Sequence, residues 1–415
     1  MSPDADPKRG TGGNVEASGG GISAKRNARF RSDPRARLFD AAGEVAVVPR
    51  AGAAVLDDRP GGLALLAALG RGAGFRIGLA GPAPEGEGMF ETLTSGSSGQ
   101  PRRIRRSVAS WQASFAVNAG LFGIGPGVSV AVLGRLSHSL SLYGALEGVA
   151  LGASVHLLDG LRPDRQRAAL AARGVAVIHA TPAQLRLLIE AGAEMLPDLR
   201  MVLVGGSKLD PGLRAAMAQM APAAALREFY GAAEASFITL ADAATPEDSV
   251  GAPYPGVDLQ LRGGMPAEIW VRSPYLFQGY GGDDPGGARW DAGWLSVGEM
   301  GWLRDGQLYL AGRAGRMVTV ADQNVFPEEV EALLQGLPGV ARVAVLSRPD
   351  GLRGQVLVAV CQGDPVQEDA ILRAARQVLG PLKAPRALIW RQDWPVLASG
   401  KSDLARIDRE AGPWR

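Results

Sequence analysis

An α/β fold is predicted: a large N-terminal domain of helix-covered, mostly parallel sheets with a β subdomain, followed by a small α+β domain. Three observations predict it. Apolar runs alternate with amphipathic segments through the first part of the chain. The texture then turns to short strands split by Gly and Pro, and a final stretch mixes both patterns. A chain of 415 residues also exceeds what one hydrophobic core ordinarily serves.

Taken in order, residues 1–28 are rich in Gly, Ser, Asp, Lys and Arg without an apolar run, so they read as a disordered tail and not as a secretory signal. "VSVAVLG" around Val128, "ASVHLLD" from Ala153, "VAVIHA" from Val175 and "RMVLVGG" from Arg200 are near-continuous apolar runs, as strands buried on both faces should be. Between them lie "DRQRAALAARG" from Asp164, "PAQLRLLIEAG" from Pro182 and "DPGLRAAMAQM" from Asp210. Each starts near Asp, Thr or Pro, and the first two close on Gly, as helix caps prefer. Strand–helix–strand repetition implies a parallel sheet covered by helices. After Ser249, "GVDLQL", "AEIWVRS", "GWLSVGEMGWL" and "QLYLAGR" read as the β subdomain. From Ala314, "RMVTVAD", a helix at "PEEVEALLQGL", the runs "VARVAVLSR" and "QVLVAVC", and a helix over Glu368–Leu379 give the small rear domain. The expected division is 29–312 and 313–415, with the boundary near Gly312–Gly315.

Composition excludes several classes. Hydrophobic content of 46% with 21% charged residues is that of a soluble globular protein. A net charge of +2, from 44 basic and 42 acidic residues, gives no reason to expect a nucleic-acid or membrane partner. The single cysteine, Cys361, rules out a disulfide framework and a thiolate cluster, and His138, His156 and His179 are too scattered for a zinc motif. No apolar run approaches the roughly 20 residues of a membrane span, and a cytoplasmic location is expected.

The segment "ETLTSGSSGQPRRIRRS", Glu91–Ser107, has the makings of an anion site. Small residues let backbone N–H groups converge on phosphate oxygens, hydroxyls add donors, and arginine supplies a fixed fork. On composition alone, a surface turn with solvated arginines explains it as well, and "RRIRR" could also be a nucleic-acid contact or a solvated face. The P-loop pattern is absent, because no Gly-Lys follows Gly96 or Gly99 and Pro395 stands where "GKS" at 400–402 would need its first glycine. No GxGxxG opens a helix after a strand, which argues against a dinucleotide fold.

Four separated segments, in order, resemble the adenylate-forming superfamily of acyl-CoA synthetases, luciferases and peptide-synthetase adenylation domains. They are "TSGSSGQPR", "EFYGAAE" at Glu228–Glu234, "GWLSVGEMGWLRDGQLYLAGRAGRMV", and "PVLASGKSDLARI" at Pro395–Ile407. "SVGAPYPG" at Ser249–Gly256 is a further turn similar to the family's. The match covers roughly residues 90–407.

That resemblance implies a reaction in which a carboxylate and ATP give acyl-AMP and pyrophosphate, after which a thiol takes the acyl group. Two anions must be forced together, so neutralisation and positioning matter more than acid–base help. By resemblance, the loop residues Thr94, Ser95, Gly96, Ser97, Ser98 and Gly99, with Arg102, hold the pyrophosphate leaving group. Glu234 holds Mg²⁺, a hard ion that takes carboxylate, phosphate and water oxygens. Tyr230, followed by Gly231, offers an aromatic face to adenine, and Gly205, Gly206 and Ser207 after a strand line its pocket. Glu299 and Arg313 match the ribose-binding acid and its arginine. Lys401 is the principal catalytic candidate, a point charge between the carboxylate and the α-phosphate. His138 in "LSHSLSLYG" matches a histidine near the acyl and thiol tunnels, with a core histidine as the other reading. The implied substrate is a fatty or aromatic acid; CoA or the phosphopantetheine of an acyl carrier protein is the implied acceptor.

The pattern also departs from the family. Arginine replaces the usual lysine at 102, Glu299 stands for an aspartate, and Gly315 occupies the hinge position. Thr319 and Asp322, in "TVAD", stand at the Lys-x-x-Gly positions near the thiol site. Less chain precedes the phosphate loop than in larger members, which marks a compact one. These departures motivate an alternative, a non-catalytic ATP- or AMP-binding relative.

Overall fold

A computed structural model of the chain describes residues 28–94, 101–397 and 401–412. The expected tail therefore lies outside the described residues except for Ala28. So do Ser95, Gly96, Ser97, Ser98 and Gly99 of the phosphate loop.

The expected fold class holds. A nine-stranded sheet has the order 252–253, 236–241, 225–232, 201–204, 177–180, 129–132, 154–157, 37–39 and 44–45. Its six central strands pair in parallel, and antiparallel strands close both edges. Ser129–Val132, Ser154–Leu157, Val177–Ala180 and Met201–Val204 are the strands read from the apolar runs. Ser129–Val132 has Ser154–Leu157 on one side and Val177–Ala180 on the other, so the chain leaves neighbouring strand ends in opposite directions. Such a switch point opens a crevice at the carboxyl ends of the strands, where open α/β sheets bind ligands.

Helices Pro163–Ala172, Pro182–Glu190 and Pro211–Met220 each begin with proline, whose fixed φ and missing N–H suit a first turn. Thr181 and Gln184 form a reciprocal capping box at the second of them. A five-stranded sheet contains the antiparallel pair Met89–Thr94 and Arg102–Ser107, and a six-stranded sheet forms the β subdomain. Behind these, Val340–Asp350, Gly354–Gly363 and Leu388–Trp390 make a three-stranded sheet with its own core of Val330, Val345, Leu357, Cys361 and Ile371. The last long helix runs to Lys383, past the expected Leu379, but Gly380 within it is non-helical and Pro381 follows. No described helix is long and apolar enough to cross a membrane.

Beneath the crevice lies a buried polar cluster. Asn118 donates to the Glu147 carboxyl at 2.7 Å and to the Tyr143 hydroxyl at 3.0 Å, while the Tyr254 hydroxyl donates to Asn118 at 2.6 Å. His179 Nε2 is 3.4 Å from Glu147 Oε2. This is not an ion pair at neutral pH. Burial raises the Glu147 pKa to about 8, against the bonds from Asn118 and Tyr143, and burial lowers that of His179 to about 4.

Glu147 gains a proton on folding, so its stabilising contribution is complete below its unfolded value of 4.5 and is lost as pH rises through about 8. Glu147→Gln keeps the shape and cannot titrate. Across the interval from about pH 6.5 to about pH 9, the thermal midpoint of wild type should fall further than that of E147Q; parallel curves would exclude the buried acid as their cause.

Candidate active site

The site gathers at the carboxyl ends of the central strands. Thr94 and Arg102 face each other in register and close the arms of the phosphate hairpin. Arg102 Nε lies 3.3 Å from Asp284 Oδ2, and its guanidinium sits 5.8 Å above the Tyr280 ring. The Tyr280 hydroxyl donates to Glu234 Oε1 at 2.8 Å. A continuous polar chain thus runs from the hairpin to the candidate metal ligand.

Gly205–Ser207 leave the strand Met201–Val204, next to the strand Ala225–Ala232 that carries Tyr230. A register shift between Tyr230 and Gly231 interrupts that strand's pairing with Ser236–Ala241. Such bulges re-aim side chains beside functional sites. Gly205 is required by its neighbour, because a Cβ there would stand 2.2 Å from the Phe229 ring. Gly206 and Ser207 are exposed.

Glu299 and Arg313 oppose each other across two antiparallel strands, with Nε and Oε1 2.8 Å apart. Glu299 is mostly covered while the Arg313 side chain stays 56% accessible, so most of the carboxylate's surface is taken by protein. Tyr230 lies close enough to both for their charges to act on its phenol, whose pKa burial raises first and Glu299 further.

Lys401 comes from the far end of the chain. Its turn is held by the Leu397 N–H donating to the Lys401 carbonyl at 2.8 Å and by Trp394 Nε1 donating to Ser402 Oγ at 2.9 Å. The ammonium keeps solvent access, yet its pKa is lowered by the surrounding protein and then by Arg313, with Glu299 and Glu234 opposing. Those charges bring Lys401, Arg313, Glu299 and Glu234 into one electrostatic neighbourhood.

His138 caps the N-terminus of the helix Ser139–Ala150 and bridges to Leu93 on the hairpin strand. Half-buried, its imidazole is held neutral by burial and by Arg135, against the pull of Asp58. Thr319 bonds Asn324 at 3.0 Å on the exposed face of a two-stranded ribbon, and Asp322 is exposed beside it.

Among the described residues, no group of three or more His, Cys, Asp or Glu is arranged to hold a metal. Glu234, with one oxygen engaged by Tyr280, still fits Mg²⁺, which commonly takes one or two carboxylates and draws its other ligands from phosphate and water. Sequence reasoning missed Tyr280, Asp284 and Arg106. The first two sit in a Gly- and Asp-rich run with a turn's composition, and the third was one of four similar arginines.

Comparison with known proteins extends this geometry. A family model described as AMP-binding enzyme matches residues 81–281, and one described as AMP-binding enzyme C-terminal domain matches 329–401. An acyl–CoA ligase of Bacillus subtilis is 32% identical over 77% of this chain and 68% of its own length. A putative long chain fatty acid–CoA ligase of Staphylococcus haemolyticus is 27% identical over 74% and 67%. A 2-succinylbenzoate–CoA ligase of Lactococcus lactis is 29% identical over 49% and 45%. Among solved structures, the o-succinylbenzoate CoA synthetase of Bacillus subtilis with its acyl-adenylate superposes with a TM-score of 0.68 at 22% identity, over 77% of this chain and 68% of that one. An amide bond synthetase of Marinactinospora thermotolerans gives 0.76 at 23% identity, over 94% and 99%. At such identities the structural likeness is one of fold.

Gly205→Ala must displace the Phe229 ring. We expect a loss of about 1–3 kcal/mol in denaturant unfolding, the usual cost of overpacking, together with weakened ATP binding by calorimetry. An unchanged midpoint would mean that the ring yields freely.

Proposed function

The chain belongs to the AMP-binding enzymes, and from that premise we propose that it activates a small carboxylic acid with ATP and passes the acyl group to a thiol. A carboxylate oxygen attacks the α-phosphorus, a P–O bond forms, and the bond to the β-phosphate oxygen breaks to release pyrophosphate. A thiol then adds to the acyl carbonyl, loses its proton, and expels AMP to leave a thioester. CoA is the acceptor the curated relatives' names support. A carrier-protein phosphopantetheine would present the same thiol.

What supports this reading is that the charges acting on Lys401, from the last part of the chain, are those of Arg313, Glu299 and Glu234 from the front sheets. A cation brought between two anions lowers their mutual repulsion, and it does so most effectively where water is partly excluded. Arg102 and the Thr94 hydroxyl, with the loop residues 95–99 between them, take the pyrophosphate. Tyr230 and the Gly205–Ser207 turn take the adenine. Glu299 accepts from the ribose hydroxyls, and Arg313, 2.8 Å away, holds that carboxylate in place. When bound at Glu234, Mg²⁺ neutralises phosphate charge. His138, neutral and beside the hairpin, borders the path of acyl group and thiol.

The segment 313–415 acts as the lid. Gly315, exposed within the turn Ala314–Arg316 that follows Arg313, marks the junction from which that segment departs. A reaction on ATP and small acids suits the cytoplasm.

Carboxylate-dependent ATP–pyrophosphate exchange tests the proposal. Fatty acids and substituted benzoates belong in the screen, because the relatives carry both kinds of name. Lys401→Ala should slow exchange by about 10²–10³-fold, as loss of an oxyanion donor does. ATP binding without exchange for any acid would point instead to the non-catalytic relative. The acceptor is then read by supplying CoA or a phosphopantetheinylated carrier and detecting the thioester.

The pH profile gives a second check. Lys401 loses its proton at a lower pH than an ordinary lysine, and the activity needs the cation, so exchange should fall as pH rises through a value below 10.5. Lys401→Arg should lack that limb, since a guanidinium keeps its charge there. A limb persisting in K401R would assign it elsewhere.

A further inference from the structure

We propose that Tyr280 is the positioning residue of the Glu234 carboxylate, and that it couples the metal ligand to the Arg102 cation of the phosphate hairpin. The inference rests on the reading of Glu234 as the Mg²⁺ ligand.

The phenol is placed on both sides of its task. Its hydroxyl donates to Glu234 Oε1 at 2.8 Å, and its ring lies beneath the Arg102 guanidinium. Tyr280 pairs in register with Ile104, on the same strand that carries Arg102, so hairpin and phenol move as one piece of sheet. The half-buried ring is packed by two neighbours. Phe277 meets it edge-on at 5.1 Å, and Gly286, with φ near +59°, passes so close that a Cβ would stand 1.8 Å from the ring.

The backbone of Glu234 is anchored independently. The Phe277 N–H donates to the Glu234 carbonyl at 2.7 Å. The buried Arg106 guanidinium donates to the Ala233 carbonyl, to Ser236 Oγ at 2.6 Å and to the Tyr275 carbonyl. With the main chain held there, the hydroxyl bond fixes the remaining torsions. One carboxylate oxygen is committed to Tyr280, and the other is left for the cation. Outer partners of metal ligands act in this way, and their removal weakens metal affinity without removing a ligand.

Tyr280→Phe deletes only the hydroxyl and keeps the ring beneath Arg102. Two quantities are read on the full chain with ATP: the Mg²⁺ concentration for half-maximal pyrophosphate exchange, and Mn²⁺ affinity by electron paramagnetic resonance. In Y280F both should weaken by about tenfold, while half-saturation by the acid stays unchanged. Glu234→Gln should weaken both further, and the double variant should add little to it. If Y280F matches wild type while E234Q is weakened, the proposal falls and the reading of Glu234 stands. If E234Q also matches wild type, the reading of Glu234 falls and takes the proposal with it. A shift in Y280F with none in E234Q overturns the coupling as well.

Discussion

The Glu299–Arg313 pair stands at the junction where the β subdomain hands over to the rear part of the chain. Arg313 is the last residue of a strand held in register against the Glu299 strand, and the chain turns at once into the segment Ala314–Arg316. Beyond it, Arg316 binds Glu328 and Glu331 at the foot of the rear helix. The direction in which the rear sheet departs is therefore set within a few residues of Arg313 and its partner Glu299.

Charge is handled in the same economical manner deeper in the molecule. Glu91 is buried and takes Arg76 at 2.6 Å and Arg103 at 2.8 Å, so three neighbouring strands of the five-stranded sheet, both arms of the hairpin among them, are joined by ion pairs. Breaking one member would strand the others without water, which costs far more than a surface pair contributes. Glu147 meets burial the other way, by keeping its proton beside a neutral His179. Under one crevice, then, a pair of arginines keeps one carboxylate company while another is left protonated.

Much of this was legible in the residues. Strands buried on both faces announce themselves as unbroken apolar runs, and the prolines and Thr181 mark where helices begin, so four of the six parallel strands could be written down in advance, while the short Arg37–Phe39 and the partly polar Ala225–Ala232 could not. The helix Val108–Phe122 could not. Its buried face carries Ser110, Ser114 and Asn118 among the aromatics, which erases the apolar stripe by which an amphipathic helix is recognised. The candidate site was legible where family motifs fall on strand ends, as at Tyr230, Glu299 and Arg313. Tyr280 was hidden for a physical reason: its role comes from a sheet pairing with Ile104, more than a hundred and fifty positions earlier, and glycine-rich surroundings give no local sign of that partner.

The rear core of Val320, Val330, Leu357, Cys361 and their neighbours shares no side chain with the front clusters. The two parts can therefore be loosened separately: a cavity opened at Val330 or Leu357 removes contacts from the rear core and leaves Leu65, Phe90 and Val155 of the front clusters with the neighbours they have.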